Sequence, residues 1–304
     1  MNINDIPFFR NKQIVIHKNI YSNDPYPMCF LVSDRLKTYK IRLASEFNPH
    51  AIVRECNALE YLKKQDHKLC ADIIEADIDG DPKSHYLIET FLDGKSLEKY
   101  ETSELKAYVH LLVEKLSAYL YEVHNLHSHE FHSFIGDGYE TYLDMLIAHL
   151  YNHINSINAY DSNIAVYLSN VIKLLHKHNI SMINIVPSFL HFDFKPQNII
   201  FDIKTLNIAV VDFEHSRFGD PLHELIRSRF KFSKNELFIK KLWDEIERKY
   251  IQKNNYIIHP IKSLLYHFYY YVTELTYLFK INDIKNIAKY KHLIEKAVSD
   301  IKSI

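Results

Sequence analysis

The sequence predicts an α+β protein with a small antiparallel-sheet N-terminal lobe and a larger, mostly helical C-terminal lobe. Three observations lead there. Short alternating strands dominate the first ninety residues, helical periodicity takes over after Gly94, and one hairpin interrupts the helices near residue 200. The joint falls near Glu89 to Gly94, dividing the chain into an N-terminal part over residues 1–93 and a C-terminal part over 94–304.

The N-terminal strands are read from β-branched and aromatic runs bounded by Asn, Asp and Pro: Gln13 to His17, Met28 to Ser33, Thr38 to Leu43, Asp72 to Ile78 and His85 to Glu89. One helix, about Pro49 to Lys64, interrupts them, because Ile52, Leu59 and Leu62 share a helical stripe. Glu55 lies in that stripe, and a carboxylate on an apolar face needs a partner. Beyond Gly94 the period is helical over Ser103 to Leu126, Tyr139 to Ile157, Ser162 to His178, Lys234 to Lys253, Ile261 to Lys280 and Ile284 to Lys302. Asn198 to Phe201 and Asn207 to Val211 flank a polar turn and read as a hairpin.

Composition narrows the class. The chain has 304 residues and 47% hydrophobic residues, enough for a sizeable core and against dominant disorder. Lys plus Arg number 37 against 38 Asp plus Glu, so a whole-chain basic surface for nucleic acid is not expected. Cys29, Cys56 and Cys70 form neither an even set nor a CxxC pair, which fits reduced thiols and a cytoplasmic setting. No apolar stretch approaches the roughly 18 residues of a membrane span, and Met1 to Pro7 does not read as a signal peptide. Only five glycines occur, so a glycine-rich phosphate loop is not available.

The chemistry concentrates in two segments. Leu190 to Asn198, LHFDFKPQN, contains H-x-D-x-x-x-x-N; fourteen residues after Asn198 comes Asp212, at the end of the apolar run IAVVDF. Phosphoryl transfer needs aligned reactants, Mg²⁺ on the phosphates and a carboxylate to take the acceptor's proton. Asp193 suits the last role. Asn198 and Asp212, brought together by the intervening hairpin, offer hard oxygens for Mg²⁺.

These motifs resemble those of the aminoglycoside phosphotransferase and choline kinase superfamily, small-molecule kinases with a protein-kinase-like two-lobe fold. The stretch Asp212 to Leu225, DFEHSRFGDPLHEL, extends the resemblance, with Ser216 and Glu224 departing from the usual small apolar residue and aspartate. The resemblance implies a phosphotransferase using ATP or GTP with Mg²⁺ on a small-molecule hydroxyl acceptor, as a monomer or homodimer. It implies that Ser22 and Asn23 cover the phosphates, that the hinge from Glu89 to Phe91 meets the purine through its backbone, and that Lys195 reaches the transferring phosphate. It also implies that the strand carrying Lys40 and Arg42 supplies a phosphate-binding cation paired with Glu55. Both lie on one strand face, and the position after Ile41 favours Arg42. His191 is expected beneath the loop as a structural residue.

Other signals are weaker. His124, His127, His129 and His132 crowd together without a recognised zinc spacing. The aromatic stripe from Tyr266 to Tyr277 has the period of a core-facing helix, although Tyr270, Glu274 and, earlier, Glu224 are candidates for holding the acceptor. From residue 231 to the end, 14 Lys or Arg face 8 Asp or Glu, which suits a polycationic aminoglycoside poorly. The expected acceptor is an aminoglycoside-type or other hydroxylated antibiotic, with choline or ethanolamine, homoserine or a sugar as alternatives. A protein kinase is disfavoured because Asp212-Phe-Glu lacks the DFG glycine and no A-P-E follows; a nucleotide-binding pseudokinase would bind nucleotide without turnover.

Overall fold

A computed structural model describes residues 3–10, 12–19, 28–44, 48, 50–136, 138–177 and 185–303. Ser22 and Asn23 lie outside the described residues. The chain forms two compact units: Met1–Tyr119 with Ser133–Gly136 and His191–Arg217, and Leu120–His132 with Asp137–Leu190 and Phe218–Ile304.

The first unit is built on a five-stranded antiparallel sheet: β1 (Val15–Asn19), β2 (Met28–Ser33), β3 (Thr38–Leu43), β4 (Ile73–Asp77) and β5 (Tyr86–Thr90), in the order β1-β2-β3-β5-β4. Alternation along β3 gives the sheet two unlike faces. Tyr39, Ile41 and Leu43 join Val32, Tyr86 and Ile88 in an apolar cluster closed by Ile3, Ile6 and Phe9 from the N-terminal turns. Lys40 and Arg42 therefore point to the opposite face. There the register sets Lys40 opposite Glu89 and Arg42 opposite Leu87. Helix α1 (Ala51–Lys64) buries Ile52, Leu59 and Leu62 together with Glu55, as its stripe predicts.

Past the joint, β6 (Lys95–Ser96) pairs with a hairpin of β8 (Ile199–Asp202) and β9 (Asn207–Val210). Gly94 sits at φ +116 directly against the Phe201 carbonyl, where any Cβ would collide. The expected helix from Ser103 is broken: a capped turn, α2 (Thr102–Leu105), is followed by a 3₁₀ step before α3 (Val109–His124). The reciprocal cap of Glu101 and Glu104 sets where α2 begins, and the turn after it tightens to 3₁₀ over Lys106–Tyr108.

The second unit is helical. α4 (Tyr142–Asn158) packs on α5 (Ser162–Lys177) and on α8 (Pro260–Lys280), which also packs on α9 (Ile284–Lys302). A two-stranded sheet joins β7 (Ser188–Leu190) to β10 (Arg217–Gly219), ahead of α6 (Pro221–Ser233) and α7 (Leu237–Asn254). Helix α6 escapes sequence periodicity because its buried face includes His223, Glu224, Arg227 and Ser228 as well as Leu222, Leu225 and Ile226.

Asp220 ties this unit together. Its carboxylate accepts from the Leu222 amide at 2.9 Å, capping α6, and from the hydroxyls of Tyr256 and Tyr266 at 2.7 Å each. Burial and the neighbouring Asp220 charge push both phenols well above their ordinary range.

Candidate active site

The loop that carries Asp193 is shaped by His191. Its Nε2 donates to the Val211 carbonyl at 3.0 Å, while Nδ1 accepts from the Asp193 amide at 3.2 Å. The ring thus fastens the loop to the segment that runs from β9 to Asp212, matching the structural role expected of it. Phe192 and Asp212 both lie at positive φ, 62° and 72°. For these residues that backbone region is strained, and the cost is borne where chain direction must change to aim Asp193 and Asp212.

Asp193 is held from two sides. The Asn198 amide donates to its backbone carbonyl at 3.0 Å and to its Oδ2 at 3.1 Å, and Lys195 Nζ lies 2.5 Å from Oδ2. Because the Asn198 nitrogen is committed to Asp193, its carbonyl oxygen is the atom left for a cation. Val211 donates to the Asn198 backbone carbonyl at 3.0 Å, which locks the hairpin base beneath both residues.

Arg42 lies at the centre of the charge cluster. Its Nη1 donates to Glu55 and, at 3.0 Å, to Asp212; its Nη2 donates to Glu214 at 2.6 Å. Glu55 also accepts from the Phe213 amide at 3.3 Å. The carboxylate on the apolar stripe of α1 therefore finds its partner in Arg42, while Lys40 pairs with Glu89 at 2.9 Å. A planar fork can serve three carboxylates at once, which a single ammonium cannot do with comparable geometry.

Electrostatics follow from this crowding. Burial pushes the Glu55 carboxyl up to about 8, against the pull of Arg42. Burial acts the same way on Asp212, but Arg42 and Lys195 outweigh it and hold that carboxyl below its ordinary value. Asp212 is thus ionised and, with the Asn198 oxygen, gives a hard two-oxygen set of the kind Mg²⁺ takes when phosphates and water complete its shell. Lys40 is raised above the ordinary lysine value because Glu89 and Glu55 outweigh the effect of burial.

Glu214 was visible in the D-F-E motif without an assigned role; its contact with Arg42 joins residues 172 apart in sequence. The other candidates fall elsewhere. Phe91 is partly exposed just past β5. Glu224 is fully buried and accepts from His124 at 2.7 Å, with His124 also bonded to Tyr250 at 2.8 Å, so it has no exposed surface from which to meet an acceptor. Tyr270 is buried and stacked on Phe230, with centroids 4.1 Å apart. Glu274 is paired with Lys231 and Lys234 at 3.5 and 2.7 Å. In the histidine-rich stretch, His127 meets Ser188 and His132 meets Ser128, each at 3.4 Å.

A loop carboxylate, an amide and a strand-end aspartate gathered beside a buried strand arginine define a protein-kinase-like phosphotransferase. The sequence model of the phosphotransferase enzyme family matches residues 27–244, and the chain belongs to that family. A comparison with curated protein sequences finds no match. Among solved structures, the fold is similar to a thermostable mutant of the aminoglycoside phosphotransferase APH(4)-Ia in a ternary complex with AMP-PNP and hygromycin B, at 15% identity over 94% of this chain and 93% of that one, TM-score 0.68. It is also similar to a protein described as a fructosamine-3-kinase from Haemophilus somnus, at 15% identity, 94% and 92% coverage and TM-score 0.61. A third is the GDP complex of aminoglycoside 2'-phosphotransferase-IIIa, at 13% identity, 94% coverage of each chain and TM-score 0.57.

Proposed function

We propose that this phosphotransferase moves the γ-phosphate of ATP or GTP to a hydroxyl of a small molecule, a hydroxylated antibiotic of the aminoglycoside type being the first acceptor class to test. The observation that carries the reading is the convergence of Asp193, Asn198, Asp212 and Arg42 through the contacts described above. Asp193 orients the acceptor hydroxyl and takes its proton, and Asn198 fixes the rotamer of that carboxylate. Arg42 meets the α- and β-phosphates, and Lys195 moves from Asp193 toward the transferring group. Mg²⁺, when bound to Asn198 and Asp212, neutralises the charge on the phosphates. Ser22 and Asn23 are assigned to the phosphate-covering segment, residues 1–93 to nucleotide binding and 94–304 to catalysis and acceptor binding, in a cytoplasmic enzyme.

A second acceptor class has an observation in its favour. Glu224 and Glu274, the carboxylates that could have received an ammonium-bearing acceptor, are already paired with His124 and with Lys231 and Lys234. That pairing favours a neutral polyol or sugar over a polycation. A nucleotide-consumption assay with ATP and GTP, against aminoglycosides, other hydroxylated antibiotics, choline, homoserine and sugars, tests both. Turnover on one acceptor should fall about 10²- to 10⁴-fold in Asp193→Asn, with nucleotide affinity kept. Unchanged turnover in that variant would remove Asp193 from the chemistry.

A further inference from the structure

Glu214 has no part in the reaction chemistry above, yet it is only 6% exposed and stands with Glu55 and Asp212 around a single guanidinium. One carboxylate neutralises Arg42, and each further one brings desolvation cost and like-charge repulsion into a buried space. Glu55 lies there because the buried stripe of α1 carries it, and Asp212 is assigned to the metal. The turn that bears Glu214 is nonetheless firmly held. The Glu214 backbone carbonyl accepts from Arg54 Nε at 2.9 Å, Arg54 Nη2 donates to Asn48 at 2.8 Å, and the Ser216 amide closes the turn on the Phe213 carbonyl at 3.0 Å. A third carboxylate, fixed at this burial, makes physical sense if one of the three leaves Arg42 in the working state.

The guanidinium divides its partners unevenly. Nη1 is shared by Glu55 and, at 3.0 Å, Asp212, whereas among the described residues Nη2 donates to Glu214 alone, at 2.6 Å. Asp212 cannot serve Arg42 and a metal ion at full strength, because one negative charge is then divided between two positive centres. We propose that Glu214 is a positioning residue, which keeps Arg42 in place when Asp212 turns from it to the metal of the bound nucleotide. This rests on the phosphotransferase reading and deepens it. Because Glu214 and Asp212 hold different nitrogens, one can let go while the other stays. Both Glu55 oxygens are already engaged, Oε2 by Nη1 and Oε1 by the Phe213 amide at 3.3 Å, so Glu55 does not replace Glu214 at Nη2. Without Glu214, Arg42 leans harder on Asp212, and the metal must displace a stronger charge-assisted bond.

The test is calorimetric titration of the full chain with ADP and with GDP, each in Mg²⁺ and in EDTA, for the wild type, Glu214→Ala and Glu214→Gln. The quantity read is the gain in affinity that Mg²⁺ gives within one protein, so a partly destabilised variant still reports it. In Glu214→Ala the gain should shrink about tenfold, the size of one lost charge-assisted hydrogen bond. Glu214→Gln keeps an oxygen that accepts from Nη2 and should retain part of the gain. A purely structural role for Glu214 would instead lower both affinities together and leave the gain intact. That result in Glu214→Ala, or in Glu214→Gln where the alanine variant does not fold, would overturn the assignment, as would a wild type that binds diphosphate equally well without Mg²⁺. Absence of diphosphate binding by the wild type under every condition would sink the phosphotransferase reading as well.

Discussion

Arg42 brings one positive charge to three carboxylates, and its side chain is nearly buried with two of them. Such a group holds together only because the fork aims separate N–H bonds at separate acceptors. Arg42→Lys keeps the charge and loses the fork. Glu214 or Asp212 is then left without its donor, and the expected outcome is a rise of about tenfold in nucleotide KM with a smaller change in kcat, read by steady-state kinetics. Burial without a partner would cost more: Arg42→Met strands Glu55 at the apolar face of α1 and should destabilise the fold by about 3–5 kcal/mol in urea unfolding. The pairing of Glu55 was legible as a need, since a carboxylate on an apolar stripe demands a counter-charge. Between Lys40 and Arg42, which period two places on one face, the position after Ile41 favoured Arg42, and the structure pairs Arg42 with Glu55.

At the scale of elements, the start of α6 and the contact between α6 and α8 carry separate electrostatic devices. Asp220→Ala removes an N-cap and leaves the hydroxyls of Tyr256 and Tyr266 without their acceptor, so a loss of about 3 kcal/mol is expected in chemical denaturation. Glu274 on α8 meets Lys231 at the end of α6 and Lys234 just beyond it; these ammonium groups outweigh burial and hold its carboxyl below the ordinary value. A carboxyl depressed on folding adds stability that is present above its unfolded pKa and lost as pH falls through the folded one. Glu274→Gln should therefore cost about 1 kcal/mol near pH 7, discounted for the half-exposed Lys234, and the difference from wild type should fade as the pH drops below about 4, measured by unfolding across pH. Helix α6 itself was hidden from periodicity for the same reason it is interesting: its inward face carries Glu224 and His223, whose acceptability depends on His124 and Tyr142, at 2.7 and 2.8 Å.

For the whole molecule, nucleotide and Mg²⁺ should act as folding ligands. Binding to the native state alone adds about 2.7 kcal/mol at a hundredfold excess over Kd. For a chain of this size that is a rise of about 5 °C in Tm, expected with nucleotide and Mg²⁺ together and lost on chelation, and checked by differential scanning calorimetry. Asp212 explains the dependence on the cation: it is ionised next to Asp193, and a bound triphosphate without Mg²⁺ would add like charge to both.

The sequence by itself determined the two-lobe α+β layout, the hairpin between Asn198 and Asp212, and the identity of the acid, amide and acid that meet there, since these rest on short-range periodicity and on spacings within one stretch of chain. Tertiary structure alone decided that Arg42 also reaches Asp212 and Glu214, that Lys40 is left to Glu89, and that Glu224 turns inward to His124. The physical reason is common to all three. An ion pair is chosen by distance and burial between segments far apart in the chain, and neither quantity exists until sheet register and helix packing have fixed which charged groups share a low-dielectric space.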